Sequence, residues 1–140
     1  MLQDMVTGRR VSVPPAVASQ TTCSPAWCAQ TSFTPDGSTR VEVVHPDGSG
    51  RVRLTSSGTT VPALPQVALL DRFEVLWQTD PTLDLTHNGQ LLVFDLTTRR
   101  TVELSPDAAT VGCAGSILWW SSGDATRAAV SWHSLDLRTI

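Results

Sequence analysis

The 140-residue chain has no lysine and no tyrosine, and its one asparagine is Asn88. All ten of its cationic side chains are arginine. Ala, Val, Thr, Gly, Pro and Arg fill the places that Lys, Ile, Asn and Tyr take elsewhere, a bias that looks like high-GC bacterial coding and carries no chemistry. Charge is scarce, with 16% charged residues and a formal net charge of −3. The longest basic clusters are the pairs Arg9-Arg10 and Arg99-Arg100. A nucleic-acid partner needs a positive patch or stripe, so none is expected. No window approaches 18 uninterrupted apolar residues, which excludes a transmembrane helix. Met1 to Val6 lacks the basic and apolar regions of a signal peptide. The chain therefore reads as cytoplasmic or as a piece of a longer protein, and the second reading is preferred. No stretch of ten or more residues keeps a 3.6-residue period. Val67 to Trp77 comes nearest, yet Phe73 to Trp77 fits a strand as well.

What remains is β signal. The hydrophobic fraction is 41%, globular rather than disordered, and the length suits one domain. Short Val, Leu, Thr, Phe and Trp runs alternate with polar residues between Pro, Gly, Asp and Ser. Val41–Val44 and Val52–Thr55 flank His45-Pro46-Asp47-Gly48-Ser49-Gly50. Asp-Gly between alternating runs predicts a hairpin, because the turn needs a positive φ that glycine adopts without a Cβ clash. Leu91–Phe94 and Thr101–Leu104 flank Asp95–Arg100 in the same way.

An internal repeat organises these runs. Asp4 to Val13 lies without gaps over Asp95 to Leu104, and His45 to Leu54 fits the same template. The three copies put Val11, Val52 and Val102 in register, 41 and 50 residues apart. Ala26-Trp27, Leu76-Trp77 and Leu118-Trp119 mark a second repeated point, and Leu135-Asp136-Leu137 echoes Phe94-Asp95-Leu96. Several strands in a 40–50-residue repeat indicate β-propeller blades. The expected fold is all-β, a single propeller-like domain over 1–140. It holds an outer hairpin at 2–13 and antiparallel blade-like repeats at 20–56, 66–105 and 110–140. Pro14-Pro15, Ser56-Ser57-Gly58, Pro62/Pro65 and Ser105-Pro106 are expected as connectors between blades.

Candidate chemistry is sparse. Between Cys23 and Cys28 five residues of extended strand would span about 17 Å, beyond disulfide reach. Ser24-Pro25 invites a turn that could bring them within about 6 Å, so a disulfide and two buried thiols both stand open. Cys113 reads as a buried free thiol. No Cys-x-x-Cys spacing suggests a metal, and no cofactor is expected. His45, His87 and His133 are scattered over three repeats, and no Gly-x-Ser-x-Gly elbow is present, so no catalytic residue is assigned. Asp80 and Asp84 do not match a calcium loop. Asp36, Asp47 and Asp124 read as turn formers. The repeat-matched Trp residues are expected between blades. Trp119 and Trp120 must face opposite sides of one strand, so one of them is expected at a contact surface together with Trp132 and His133.

Ser32-Phe33-Thr34-Pro35-Asp36-Gly37-Ser38 and Pro46 to Thr55 resemble the TolB-type, WD40-like propeller repeat, in which a Pro-Asp-Gly turn links inner strands and a Gly-x-x-x-Leu-Thr strand closes the blade. Cys23–Cys28, Leu69–Leu76, Leu118–Asp124 and Trp132–Arg138, taken in order, look like an actinobacterial group of TolB-like propeller proteins. The resemblance implies an extracytoplasmic location, with which a Cys23–Cys28 disulfide would agree, and a protein-binding role. A closed propeller takes at least four blades and three are visible, so the chain is expected to be the C-terminal part of a longer propeller or a unit completed by oligomerising. The expected function is a non-enzymatic interaction or scaffold module that meets a protein partner, or itself, through an exposed blade edge. The alternative is a propeller enzyme or sugar-binding protein whose site is shared with blades or chains absent here.

Overall fold

The computed structural model describes residues 2–3, 6–11, 19–55, 58–79, 88–124 and 129–140. Asp80, Asp84 and His87, and the connectors Pro14-Pro15 and Ser56-Ser57, lie outside them. The chain is all-β, and every paired strand is antiparallel. Strands β1 (Leu2–Gln3) and β2 (Arg10–Val11) form a two-stranded sheet. Strands β3 (Ser19–Cys23), β4 (Cys28–Phe33), β5 (Thr39–Val44) and β6 (Val52–Thr55) form a four-stranded meander. Strands β7 (Thr59–Pro62), β8 (Phe73–Thr79), β9 (Gly89–Asp95), β10 (Arg100–Ala114), β11 (Ile117–Asp124) and β12 (Ala129–Asp136) form a six-stranded sheet in chain order. A 3-10 turn at Leu137–Thr139 follows, capped by the Asp136 carboxylate, which accepts from the Arg138 amide.

Local chemistry sets the turns. Asp36 accepts from the Ser38 amide at 3.0 Å, Asp47 from the Ser49 amide at 2.9 Å and Asp95 from the Thr97 amide at 2.9 Å. Each short carboxylate satisfies a backbone donor two residues on and fixes a hairpin bend. Gly37 and Gly48 supply the positive φ, 84° and 88°, that these bends need.

The sequence repeat reappears as strand register. Leu2 pairs with Val11, Val43 with Val52 and Val93 with Val102. These are the same template positions in all three copies. One boundary differs from the repeat reading. Ser105-Pro106, expected as a connector between 66–105 and 110–140, lies inside β10, which runs unbroken from Arg100 to Ala114. Register shifts on either side of Ser105 mark bulges, and a bulge tolerates a proline that has no amide to donate. Pro62 likewise ends β7 rather than sitting in a loop. The N-terminal part of β10 pairs with β9 and its C-terminal part with β11, so one strand serves two meanders.

The core explains this arrangement. Ala29, Val41, Val43 and Leu54 of the first meander pack against Leu76 and Phe94 of β8 and β9, with Val67 and Ala68. Phe73, Val75, Leu91 and Val93, on the opposite face of β8 and β9, pack against Leu118 and Trp120 of β11, with Leu137. The chain therefore forms three layers: β3–β6, then β7 to the start of β10, then the end of β10 to β12. A bulged strand that changes layer is a known way to turn such a corner. The middle layer is covered on both faces, so Phe73-Glu74-Val75-Leu76 is buried without alternation. Thr39 ties the first two layers together, as its Oγ1 donates to the Thr60 carbonyl and accepts from the Thr60 amide at 2.8 Å.

Candidate functional site

The three layers have equivalent faces, and the third leaves one uncovered. Aligning Asp136 with Asp95 places Ser134 over Val93 and Val43. Val43 and Val93 are buried, as are their partners Ala29 and Val75 on the neighbouring strands. In the third layer the same cross-strand pair is Trp119 and Ser134. Trp119 is 37% exposed and Trp132 is 64% exposed. Their rings lie 5.8 Å apart and tilted, and Ile117 is also exposed on that side. The Trp119 indole lies flat over Gly112, where an added Cβ would come within 2.1 Å of its Cζ2. A side chain at position 112 would displace the ring from this seat. The face carries Thr110, Gly112, Ile117, Trp119, Ser121, Trp132 and Ser134, with Asp136, held by Arg138, at its end opposite Ile117. The outer face of the first layer is different. There Arg51 donates to Gln30 at 2.9 Å and to Glu42 at 2.8 Å, with Arg53 also beside Glu42.

The four residues singled out from sequence fall on two sides. Trp119 and Trp132 form the exposed face. Trp120 does not belong to it: it is buried in the core between the second and third layers. His133 stacks on Trp120 at 5.4 Å, on that inner side. The expectation that repeat-matched tryptophans sit in the core also needs correction, since Trp27 and Trp77 are only partly buried at its margin and Trp119 faces outward. The hairpins differ in length, so equal spacing along the sequence does not give equal height on the strand.

Trp120 and His133 border a cleft of about 400 Å³, shared with Leu104, Asp107, Ser122 and Ser131. Ser122 Oγ and His133 Nε2 are hydrogen-bonded at 2.9 Å. Ser122 escaped the sequence reading because its partner lies across a hairpin of unknown centre. Once the register pairs Trp120 with His133, the alternation of the two strands places Ser122 on the same side. A serine nucleophile also needs its base held by a third group and an oxyanion site. Among the described residues no carboxylate hydrogen-bonds His133. Among them, too, no three His, Cys, Asp or Glu side chains are grouped to hold a metal ion.

Cys23 and Cys28 are bonded to each other and close the β3–β4 turn. The turn is held by the Ser24 amide donating to the Trp27 carbonyl at 2.7 Å. The Trp27 indole stacks on His45 at 3.9 Å, and its Nε1 donates to the Asp71 carbonyl at 3.3 Å. His45 is thus half-buried against Trp27. Cys113 is a free thiol, partly buried, and desolvation raises its pKa. Replacing both Cys23 and Cys28 with serine is expected to cost about 2 kcal/mol, the chain-entropy value for so short a loop. Urea denaturation of the oxidised wild type against the double variant measures it, and equal midpoints would contradict it.

Among the described residues no helix is long and apolar enough to cross a membrane. Compared with protein-family models and with curated proteins, the chain matches none of either.

Proposed function

We propose that the chain is part of a TolB-like β-propeller and works as a non-enzymatic protein-interaction module outside the cytoplasm. Its three layers are the blade-like repeats, and the uncovered face of the third is its contact surface. The observation that carries this reading is the Trp119–Trp132–Ile117 face. The equivalent face of each preceding layer is buried under the next, whereas this one is aromatic and exposed. Clustered exposed aromatics mark surfaces that are covered by a partner. The Cys23–Cys28 bond supports the compartment, since disulfides persist where the surroundings are oxidising.

A second reading rests on the cleft. Ser122 and His133 join a hydroxyl and an imidazole beside the Trp120 ring, the elements of a hydrolytic or sugar-binding site completed by other blades. One experiment separates the two. A display library of random dodecapeptides is selected on the immobilised wild type and on a Trp119→Ser/Trp132→Ser variant. The interaction reading expects enrichment on the wild type that the variant loses. Lack of any difference would overturn it. Turnover of p-nitrophenyl esters or glycosides that Ser122→Ala abolishes would install the second reading.

A further inference from the structure

In the first layer β5 is followed by β6 on its outer side, and in the second β9 is followed by β10. In the third layer β12 is the sheet edge, with no outer neighbour among the described residues. Sheet edges are ordinarily blunted by Lys, Pro or a bulge. Ala129–Asp136 has no lysine, arginine or proline, and its ladder with β11 runs through all eight residues without a shift. The hairpin β1–β2 has the complementary deficit. It carries the sequence and register of an outer strand pair, yet it belongs to neither larger sheet.

We infer that the β12 edge is filled by β2 of a second copy of this chain, with Val11 opposite Ser134. The inference rests on the blade-like repeat reading above, which it deepens by naming a partner. The register is fixed by the repeat: Val52 stands opposite Val43 and Val102 opposite Val93, and Ser134 is the third-layer equivalent of Val43 and Val93. The same register sets Arg9 opposite Asp136, whose carboxylate Arg138 also holds at 2.6 Å, as Arg100 stands opposite Asp95, which pairs with Arg72. Opposite charges directly across a strand pair stabilise it, and a shift of one residue would separate them. In the exchange β2 leaves a two-pair ladder with β1 for the Ser134–Asp136 end of β12. The exchange is reciprocal, so it closes with two chains rather than growing into a fibre.

The test is mass together with register. Light scattering of the whole chain is expected to give twice its 15.0 kDa. Val11→Cys in one chain and Ser134→Cys in another are then mixed and mildly oxidised. Residues directly opposite lie about 4.5–5.5 Å apart at Cα, within disulfide range. Peptide mapping is expected to show a link between positions 11 and 134 of different chains, formed at least tenfold faster than one with Trp132→Cys two residues away. A monomer mass would overturn the inference. So would a link formed within one chain in the monomeric double variant, because the hairpin would then be returning to its own β12. Doubled mass without this link would place the dimer elsewhere. In each of these cases wild-type peptide enrichment could persist, so failure here leaves the interaction reading to its own test.

Discussion

Trp120→Ala is expected to destabilise the fold by about 3–5 kcal/mol, while Trp132→Ala, twelve residues on, costs about 1 kcal/mol. The two differ because of their faces. Trp120 is 8% exposed, packed among Leu118, Val75 and Leu137. Removing it opens a cavity in a layer that the surrounding strands cannot collapse to fill. Trp132 loses its contact with Trp119 and little else, and truncating a largely exposed ring leaves no hole. Urea unfolding followed by far-UV circular dichroism gives both values. Losses of equal size would mean that the assignment of inner and outer faces is wrong. Because Trp119 and Trp120 are adjacent, Trp119→Ala belongs with Trp132→Ala in this comparison, and its small cost would isolate the face from the residue type.

Glu74 provides the second large effect. It is buried in β8, where its Oε2 accepts from the Ala68 amide at 2.6 Å and its Oε1 has no partner. Burial raises its pKa from 4.5 to about 7, with the Ala68 amide opposing the shift. A carboxyl whose folded pKa lies above its unfolded one favours folding in its protonated form. The associated stability is fully present below pH 4.5 and is lost as the pH rises through 7. The charged state costs about 3 kcal/mol, following the shift between the two pKa values. Glu74→Gln cannot ionise, so it is expected to gain about that much relative to wild type between pH 5 and pH 8. The amide leaves its new N–H₂ without an obvious acceptor, a cost that does not change with pH. The difference between the two pH values is therefore the readout, measured by urea midpoints. A variant that moves equally at both pH values would show that Glu74 stays ionised throughout. The exposed turn carboxylates act in the opposite sense. Asp36 is lowered to about 2 by hydrogen bonds from Thr34 and Ser38, and Asp95 falls well below the usual range beside Arg72. Their contribution fades in strong acid, which leaves maximal stability near pH 5.

The turns and the repeat were legible because they depend on residues adjacent in sequence. Asp47-Gly48 and Asp95 dictate their hairpins locally, and the gapless match of Asp4–Val13 to Asp95–Leu104 became an identical strand register. The opposition of Trp119 and Trp120 followed from strand geometry alone. The break at Ser105-Pro106 was misplaced because proline reads as a boundary, and only the pairing on either side shows that a bulge absorbs it. The roles of Ser122 and Glu74 were hidden for a related reason. Ser122 needs the register of a hairpin to meet His133. Glu74, in an apolar run, is an ordinary strand residue until a second layer covers it.

The continuity of β10 also shapes how the chain can come apart. Its first half completes the middle layer and its second half begins the third, so neither layer can open without disturbing hydrogen bonds in the other. Those two layers form one cooperative unit, with Leu137 closing the core between them. The first layer is joined to that unit by side-chain packing, by the Thr39 bonds to Thr60 and Gly58 and by the Trp27–Asp71 bond, with no ladder in common. Partial opening therefore begins at the boundary between β6 and β7. The disulfide-closed meander leaves as a body, and the sheet that carries the tryptophan face stays whole.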